Sequence, residues 1–257
     1  MTIHGEMGFA VKAWLKNNHP QLWNKARIVA KGLKLGPRLF GHKRRDCNIC
    51  GYSGHFLAEI HFPDIFNFDA LCPNCGSLPR NRLIRLAQTQ AGVIKSDDRL
   101  LHFAPEGSVR RQFQTFVKEY ATTDLNPVGV DYQENIEGLS FPDGRWDAII
   151  CSHVLEHVDH KKALAELYRV LAPGGRLLAL FPIVEGWTQH YENDAVVSEA
   201  DRAIHFGKEN HLRRFGRNVR AEFSAAGFQL DDFVASGPDA VRYGLLPGEV
   251  LFVGRKA

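Results

Sequence analysis

Between Asp147 and Pro182 the chain reads as a strand, a helix, a glycine stop and a second strand, and few folds accept that order so tightly spaced. Ala148, Ile149 and Ile150 form an apolar run that ends in the small and polar residues Cys151, Ser152 and His153. Across Lys161–Leu171 the apolar positions Leu164, Leu167, Val170 and Leu171 recur at the spacing of a helix with one buried face. Pro173, Gly174 and Gly175 stop that helix, and Arg176–Pro182 is apolar again. Strand, helix and strand within this length make a βαβ unit of a parallel sheet. Ser152 and His153 then fall at the carboxyl end of a strand, where open α/β sheets bind ligands.

The alternation extends in both directions. Strands are expected at Leu100–Ala104, Ala121–Asp124, Val128–Tyr132, Trp146–Cys151 and Leu177–Phe181, with helices at Ser108–Tyr120 and Leu212–Ala226. A sixth strand opens at Gly227 and runs to about Ala235, and Leu251–Gly254 forms a seventh, reached through a hairpin.

This order, and the wording of Asp124–Pro182 in particular, resembles the class I S-adenosylmethionine-dependent methyltransferases over about residues 95–257. The resemblance implies an α/β fold with a Rossmann-like seven-stranded sheet and S-adenosylmethionine as cofactor. In that family an acid and then Gly-x-Gly-x-Gly usually follow the first strand. Here the stretch is His102-Phe-Ala104-Pro-Glu106-Gly107-Ser108, with His102 in the acid's place, Ala104 in the first glycine's and Glu106 in the second's. His-Phe-Ala-Pro-Glu also resembles a variant found in zinc-ribbon relatives. Ala104 is small enough for close approach, and Glu106 would meet the ammonium and sulfonium of the cofactor; alternatively it only begins a helix, where an acid suits the dipole.

Other cofactor positions follow from the same resemblance. Asp124 would accept the ribose hydroxyls, Leu125 cover an adenine face, Asn135 accept the adenine amino group, and Ile136 pack on the ring. Ser152 and His153 would lie beside them. His153 and His157 are the candidate general bases, since a histidine near neutral pKa accepts a proton readily. Many relatives share Leu155-Glu156-His157 without using it for chemistry. The long polar segment 184–210 is expected to cover the substrate, or to serve only as a lid. Its His190, Tyr191 and His205, with His211 and Arg213 just beyond, are the candidate substrate contacts, the last two alternatively structural at the start of a helix.

Upstream, Cys47-Asn-Ile-Cys50-Gly51 and Cys72-Pro-Asn-Cys75-Gly76 are two knuckles, each with two thiolates on a tight turn. Cys47, Cys50, Cys72 and Cys75 together supply four tetrahedral ligands for a structural Zn2+, which leaves no coordination position open. The Phe- and Ile-rich stretch between them can form a hairpin. Asn81–Gln90 reads as a helix burying Leu83, Ile84, Leu86 and Ala87, and its Arg80, Arg82 and Arg85 either face an anion or are solvated.

Charge divides the 257 residues unevenly. Residues 1–45 hold ten Lys and Arg against Glu6 alone, or +9, whereas the remainder holds 22 against 28, or −6. The expected organisation is a basic helical arm (1–45), a zinc ribbon with its connecting helix (46–92) and a methyltransferase domain (93–257). The apolar side of the arm, Phe9, Val11, Trp14, Leu15, Leu22, Trp23, Ile28 and Val29, either docks on the body or meets a membrane surface, while its charge suits RNA. No run of eighteen apolar residues is present and the first residues show no signal-like apolar core, so the expected location is the cytoplasm. The acceptor is expected to be a small molecule, sugar or glycan, with RNA as the alternative. A non-catalytic scaffold is a third reading, because the glycine loop is altered.

Overall fold

The computed structural model describes residues 35–61 and 65–257, together with Val29, Gly32 and Leu33. The expected arm therefore lies almost wholly outside the described residues. Seven strands form one mixed sheet: β5 (Arg99–Phe103), β6 (Glu119–Asp124), β7 (Tyr132–Gln133), β8 (Trp146–Ser152), β9 (Leu171–Leu180), β10 (Phe228–Val234) and β11 (Val250–Lys256). Across the sheet the order is β10-β11-β9-β8-β5-β6-β7. The five from β9 to β7 run parallel, and β11 is antiparallel to both its neighbours. From β5 the chain moves outward through β6 to β7, then returns to place β8 on the other side of β5. That reversal opens a crevice at the carboxyl ends of β5 and β8.

Alternation along the strands builds a core on each face. Leu101 and Phe103 of β5, with Ile149 and Cys151 of β8, meet Leu164 and Leu167 of α3 (His160–Val170) and Phe223 of α5 (Val219–Ala225). Leu100, Ala148 and Ile150 point the other way, toward Leu83 and Ile84 of α1 (Pro79–Ala91) and Val109 and Phe113 of α2 (Gly107–Phe113). The α1 helix, grouped with the ribbon on sequence, thus buries its apolar face against the sheet. Asp159 starts α3 by accepting from the amides of Lys161 and Lys162, the expected chemistry of an N-cap.

Four expected elements differ. The first helix ends at Phe113 rather than Tyr120, because the amides of Phe116 and Val117 turn back to the Phe113 carbonyl before β6 begins. The third strand shrinks to Tyr132–Gln133, since Asp131 is held by the Thr122 amide and hydroxyl. Residues 212–215, expected in the last helix, are extended: the Leu212 amide bonds to Glu156 O, the Arg214 amide to Tyr191 O, and Phe215 O accepts from Val184. Finally, β10 and β11 are joined through α6 (Gly237–Tyr243), capped by Ser236 accepting from the Asp239 amide. The segment 184–210 contains one helix, α4 (Glu199–Phe206).

Two small antiparallel pairs flank the cysteines: β1 (Arg44–Asp46) with β2 (Ser53–His55), and β3 (Leu57–His61) with β4 (Ile65–Leu71); Cys47 and Cys50 lie between β1 and β2, and Cys72 and Cys75 follow β4. Among the described residues no helix is long and apolar enough to cross a membrane.

Candidate functional site

At the crevice, Ala104 leaves β5 with φ of +46° and its amide donates to Thr123 O at 2.9 Å. A residue with a Cβ in this left-handed region costs on the order of 1–2 kcal/mol, so the surrounding structure holds the turn in place. A cleft of about 370 Å³ opens here, lined by Ala104, Pro105, Gly107, Arg110, Asp124 and Asn126 among others. Asp124 ends β6 and faces it, using Oδ1 to accept the Asn126 amide at 2.9 Å and leaving Oδ2 for a ligand. Small backbone on one side and a carboxylate on the other suit a nucleoside-like group with vicinal hydroxyls.

The remaining cofactor candidates lie outside that lining. Leu125 is 69% exposed beside it, and Ile136 is buried in the core below. Asn135 accepts the Glu137 amide at 3.0 Å in a turn of its own. The Glu106 carboxylate is bound from the ribbon side, by Arg80 Nη2 at 2.7 Å and Asn81 Nδ2 at 2.6 Å, so it stitches α1 to the start of α2.

Beyond β8, His153 also adopts a positive φ, +55°, while its amide donates to Leu180 O at 2.7 Å. Its Nδ1 lies 3.1 Å from Oε1 of Glu156, whose side chain is 1% exposed. Burial pushes the Glu156 carboxyl up, but the hydrogen bond and charge of His153 outweigh it and hold the group below its ordinary value. An ionised carboxylate only accepts, so His153 carries hydrogen on Nδ1, and in its neutral form the ring presents the Nε2 lone pair. A histidine held this way by a buried acid is able to accept a proton. Ser152 Oγ, one residue earlier, is buried without a hydrogen-bond partner. Glu249, before β11, feels the charges of His153, Arg80, Glu59 and Arg82, and burial pushes its carboxyl up to about 7.

The candidate substrate residues divide by their partners. His190 accepts from the Gly216 amide on Nδ1 at 3.0 Å, so its Nε2 carries the proton that it donates to Glu222 Oε2 at 2.7 Å. His160 Nε2 meets the same oxygen at 2.8 Å. Arg213 is buried over Phe215, bonded to Glu192 and to the carbonyls of Leu155 and Val158. His211 is buried with Nδ1 3.2 Å from Phe206 O, and His157 Nδ1 lies 3.0 Å from Asn210 O. Tyr191 and His205 pair with each other at 2.5 Å. These contacts shape the covering segment itself. Sequence reasoning missed the contact of Glu156 with His153 and the raised carboxyl of Glu249. Glu156 stood in a motif already singled out, whereas Glu249 gave no local signal.

The four cysteines converge. Sγ of Cys47 and Cys75 are 3.6 Å apart, those of Cys50 and Cys72 3.8 Å, and all four lie within 4.8 Å of one another. Tetrahedral zinc with Zn–S near 2.3 Å requires sulfur–sulfur edges of about 3.8 Å. Each knuckle closes identically: Gly51 and Gly76 donate to Cys47 O and Cys72 O at 2.9 Å, at φ of +75° and +71° where glycine is unstrained. The donor set fits a structural zinc ion.

Residues 107–179 match the family described as a methyltransferase domain. The ubiquinone/menaquinone biosynthesis C-methyltransferase UbiE of Escherichia coli O139:H28 is 34% identical over 119 residues, covering 40% of this chain and 47% of that protein. Its counterpart from Citrobacter koseri is 34% identical over 115 residues, covering 39% and 46%. The chain therefore spans about half the length of the curated relatives it matches. Among solved structures, the YcgJ protein from Bacillus subtilis is 20% identical with a TM-score of 0.48, covering 68% of this chain and 97% of that one. The matched region, which holds β6 and β8 at the crevice, is similar to a methyltransferase domain.

Proposed function

We propose that this enzyme transfers a methyl group from S-adenosylmethionine to an O, N or C nucleophile of a small molecule, sugar or glycan-type acceptor, and that its four cysteines hold one structural zinc ion. One observation carries the reading: Asp124 and the His153–Glu156 pair occupy the carboxyl ends of β6 and β8, inside the matched region, on either side of the Ala104 turn. Asp124 and the backbone at Ala104 would hold the cofactor, which supplies a methyl already activated on a sulfonium. Methyl transfer then depends on alignment and on exclusion of water. His153 Nε2 takes the acceptor's proton where the nucleophile is protonated, and Glu156 holds the ring in the required tautomer.

The UbiE relatives, named for C-methylation in ubiquinone and menaquinone biosynthesis, support a small organic acceptor. An RNA acceptor draws on the basic arm, which lies almost wholly outside the described residues. The zinc ion would fix the ribbon against α1, with the buried guanidinium of Arg82 facing the thiolates.

The test is transfer of a labelled methyl group from S-adenosylmethionine into small-molecule and RNA fractions. Label in a small molecule, and a His153→Asn rate lower by about 10²–10⁴-fold with cofactor binding intact, is the expected result. Label confined to RNA overturns the acceptor class, and an undiminished His153→Asn rate overturns the base.

A further inference from the structure

Behind the His153–Glu156 pair, Glu156, His157 and His211 each bring one potential ligand atom to within 4.8 Å of the others. The hydrogen bonds around the two histidines fix where their protons are. His157 Nδ1 faces Asn210 O at 3.0 Å and His211 Nδ1 faces Phe206 O at 3.2 Å. A carbonyl oxygen only accepts, so both rings carry hydrogen on Nδ1 and present a bare Nε2 lone pair in the neutral form. Imidazole anchored through Nδ1–H to a backbone carbonyl is the usual support of a metal-binding histidine. Glu156 is 1% exposed, and with Oε1 engaged by His153 its Oε2 has no hydrogen-bond partner. Each neutral ring thus keeps an unprotonated Nε2, and the carboxylate grouped with the two rings keeps a buried oxygen without a partner.

A second cluster shows the contrast. His160, His190 and Glu222 satisfy the same spacing. There the Gly216 amide donates to His190 Nδ1, which forces the proton onto Nε2, and that proton bonds Glu222. A proton already occupies the place a cation would take.

We infer that Glu156, His157 and His211 form a binding site for one divalent first-row transition metal ion, separate from the four-cysteine site. Two imidazoles and a carboxylate suit zinc, cobalt, iron or manganese, and the partly exposed His157 leaves room for water to complete the coordination. A metal about 2.1 Å from each donor has its ligands about 3.0–3.4 Å apart, so binding draws the three side chains inward. His211 closes the covering segment 184–210, and Leu212 already bonds Glu156 O at 2.9 Å. The ion would lock the end of that segment onto the edge of β8. The inference does not depend on methyl transfer or on the acceptor.

The experiment is a cobalt(II) titration of tag-free full-length protein whose cysteine site is filled with zinc. Cobalt(II) does not outcompete zinc for the thiolates, because zinc stands above it in affinity. Absorption spectra and metal content are read together. The expected result is one further equivalent, with ligand-field bands and no sulfur charge-transfer band. His157→Gln and His211→Asn should each weaken it at least tenfold, while both keep their zinc, and His160→Asn should leave it unchanged. No further equivalent in the unmodified protein overturns the inference. So does a further equivalent that survives both His157→Gln and His211→Asn, or one abolished by His160→Asn. His157 lies partly exposed, so its variant remains informative even if the His211 substitution unfolds the chain.

Discussion

Arg82 joins the ribbon to the body, and its replacement by methionine should separate them. Its side chain is fully buried, with the guanidinium 4.7 Å from the Phe56 ring centre. Nη1 donates to Ser77 O at 2.5 Å and Nη2 to Ala70 O at 2.7 Å, both in the cysteine module. Nε donates to Tyr243 O at 2.7 Å and Nη2 also to Gly244 O at 2.9 Å, at the end of α6. Burial pulls the guanidinium down to about 10, against the thiolates of Cys47, Cys72 and Cys75 that raise it, so it remains charged at neutral pH. Methionine fills the stem but leaves four carbonyls without their donor and the thiolates without their counter-charge. Removing one partner from a buried charged network costs about 3–5 kcal/mol, and the apolar packing that methionine keeps places the loss near 3 kcal/mol. At about 2–4 °C per kcal/mol, the melting temperature should fall by about 6–12 °C. Urea unfolding combined with hydrogen exchange checks this: ribbon and α6 amides should lose protection together. Arg82→Lys, with its single ammonium, should lie between the two. An Arg82→Met protein within about 1 kcal/mol of the unmodified chain would refute the argument.

Three other outcomes are expected. Cys72→Ser, or chelation of the metal, should release one zinc per chain and lower the melting temperature, read by metal analysis and calorimetry; a metal-free protein of unchanged stability contradicts the ribbon assignment. Glu222→Ala leaves the donors of His160 and His190 without their acceptor, so it should cost about 3 kcal/mol and speed exchange at the Gly216 and Tyr191 amides. Burial, then the charge of Arg110, pushes the His102 imidazole down to about 3. The unfolded chain takes that proton near pH 6.5 and the native state only near 3, so stability drains away as pH falls through that window. His102→Phe cannot protonate, and its urea midpoint should fall less between about pH 7 and pH 4.

Much of the α/β half was legible because its signals are local. The β8–α3–β9 unit announced itself through apolar spacing and the Pro173–Gly175 stop, and the two cysteine knuckles through their paired spacing. Elements that failed depend on partners distant in sequence. Residues 212–215 look helical alone, but their amides and carbonyls go to Glu156, Tyr191 and Val184. Glu106 reads on sequence as a cofactor contact or a helix start, and the sequence gives no sign that Arg80 and Asn81, 26 and 25 residues earlier, bond its carboxylate. His190, His205 and Tyr191 are candidates by residue type alone, which does not reveal whether a polar side chain faces a ligand or a neighbour. The α6 helix was a readable omission, since Ser236 and Asp239 make a local N-cap pattern before it.

Calorimetric titration of S-adenosylmethionine into the zinc-loaded protein, with Asp124→Ala beside it, tests the central claim most directly. The predicted result is a single site in the unmodified protein, weakened about 10–100-fold by the substitution, as expected for lost hydrogen bonds to a charged acceptor. No binding by the unmodified protein, or equal binding by both, would contradict the assignment of the Ala104–Asp124 cleft as the cofactor site.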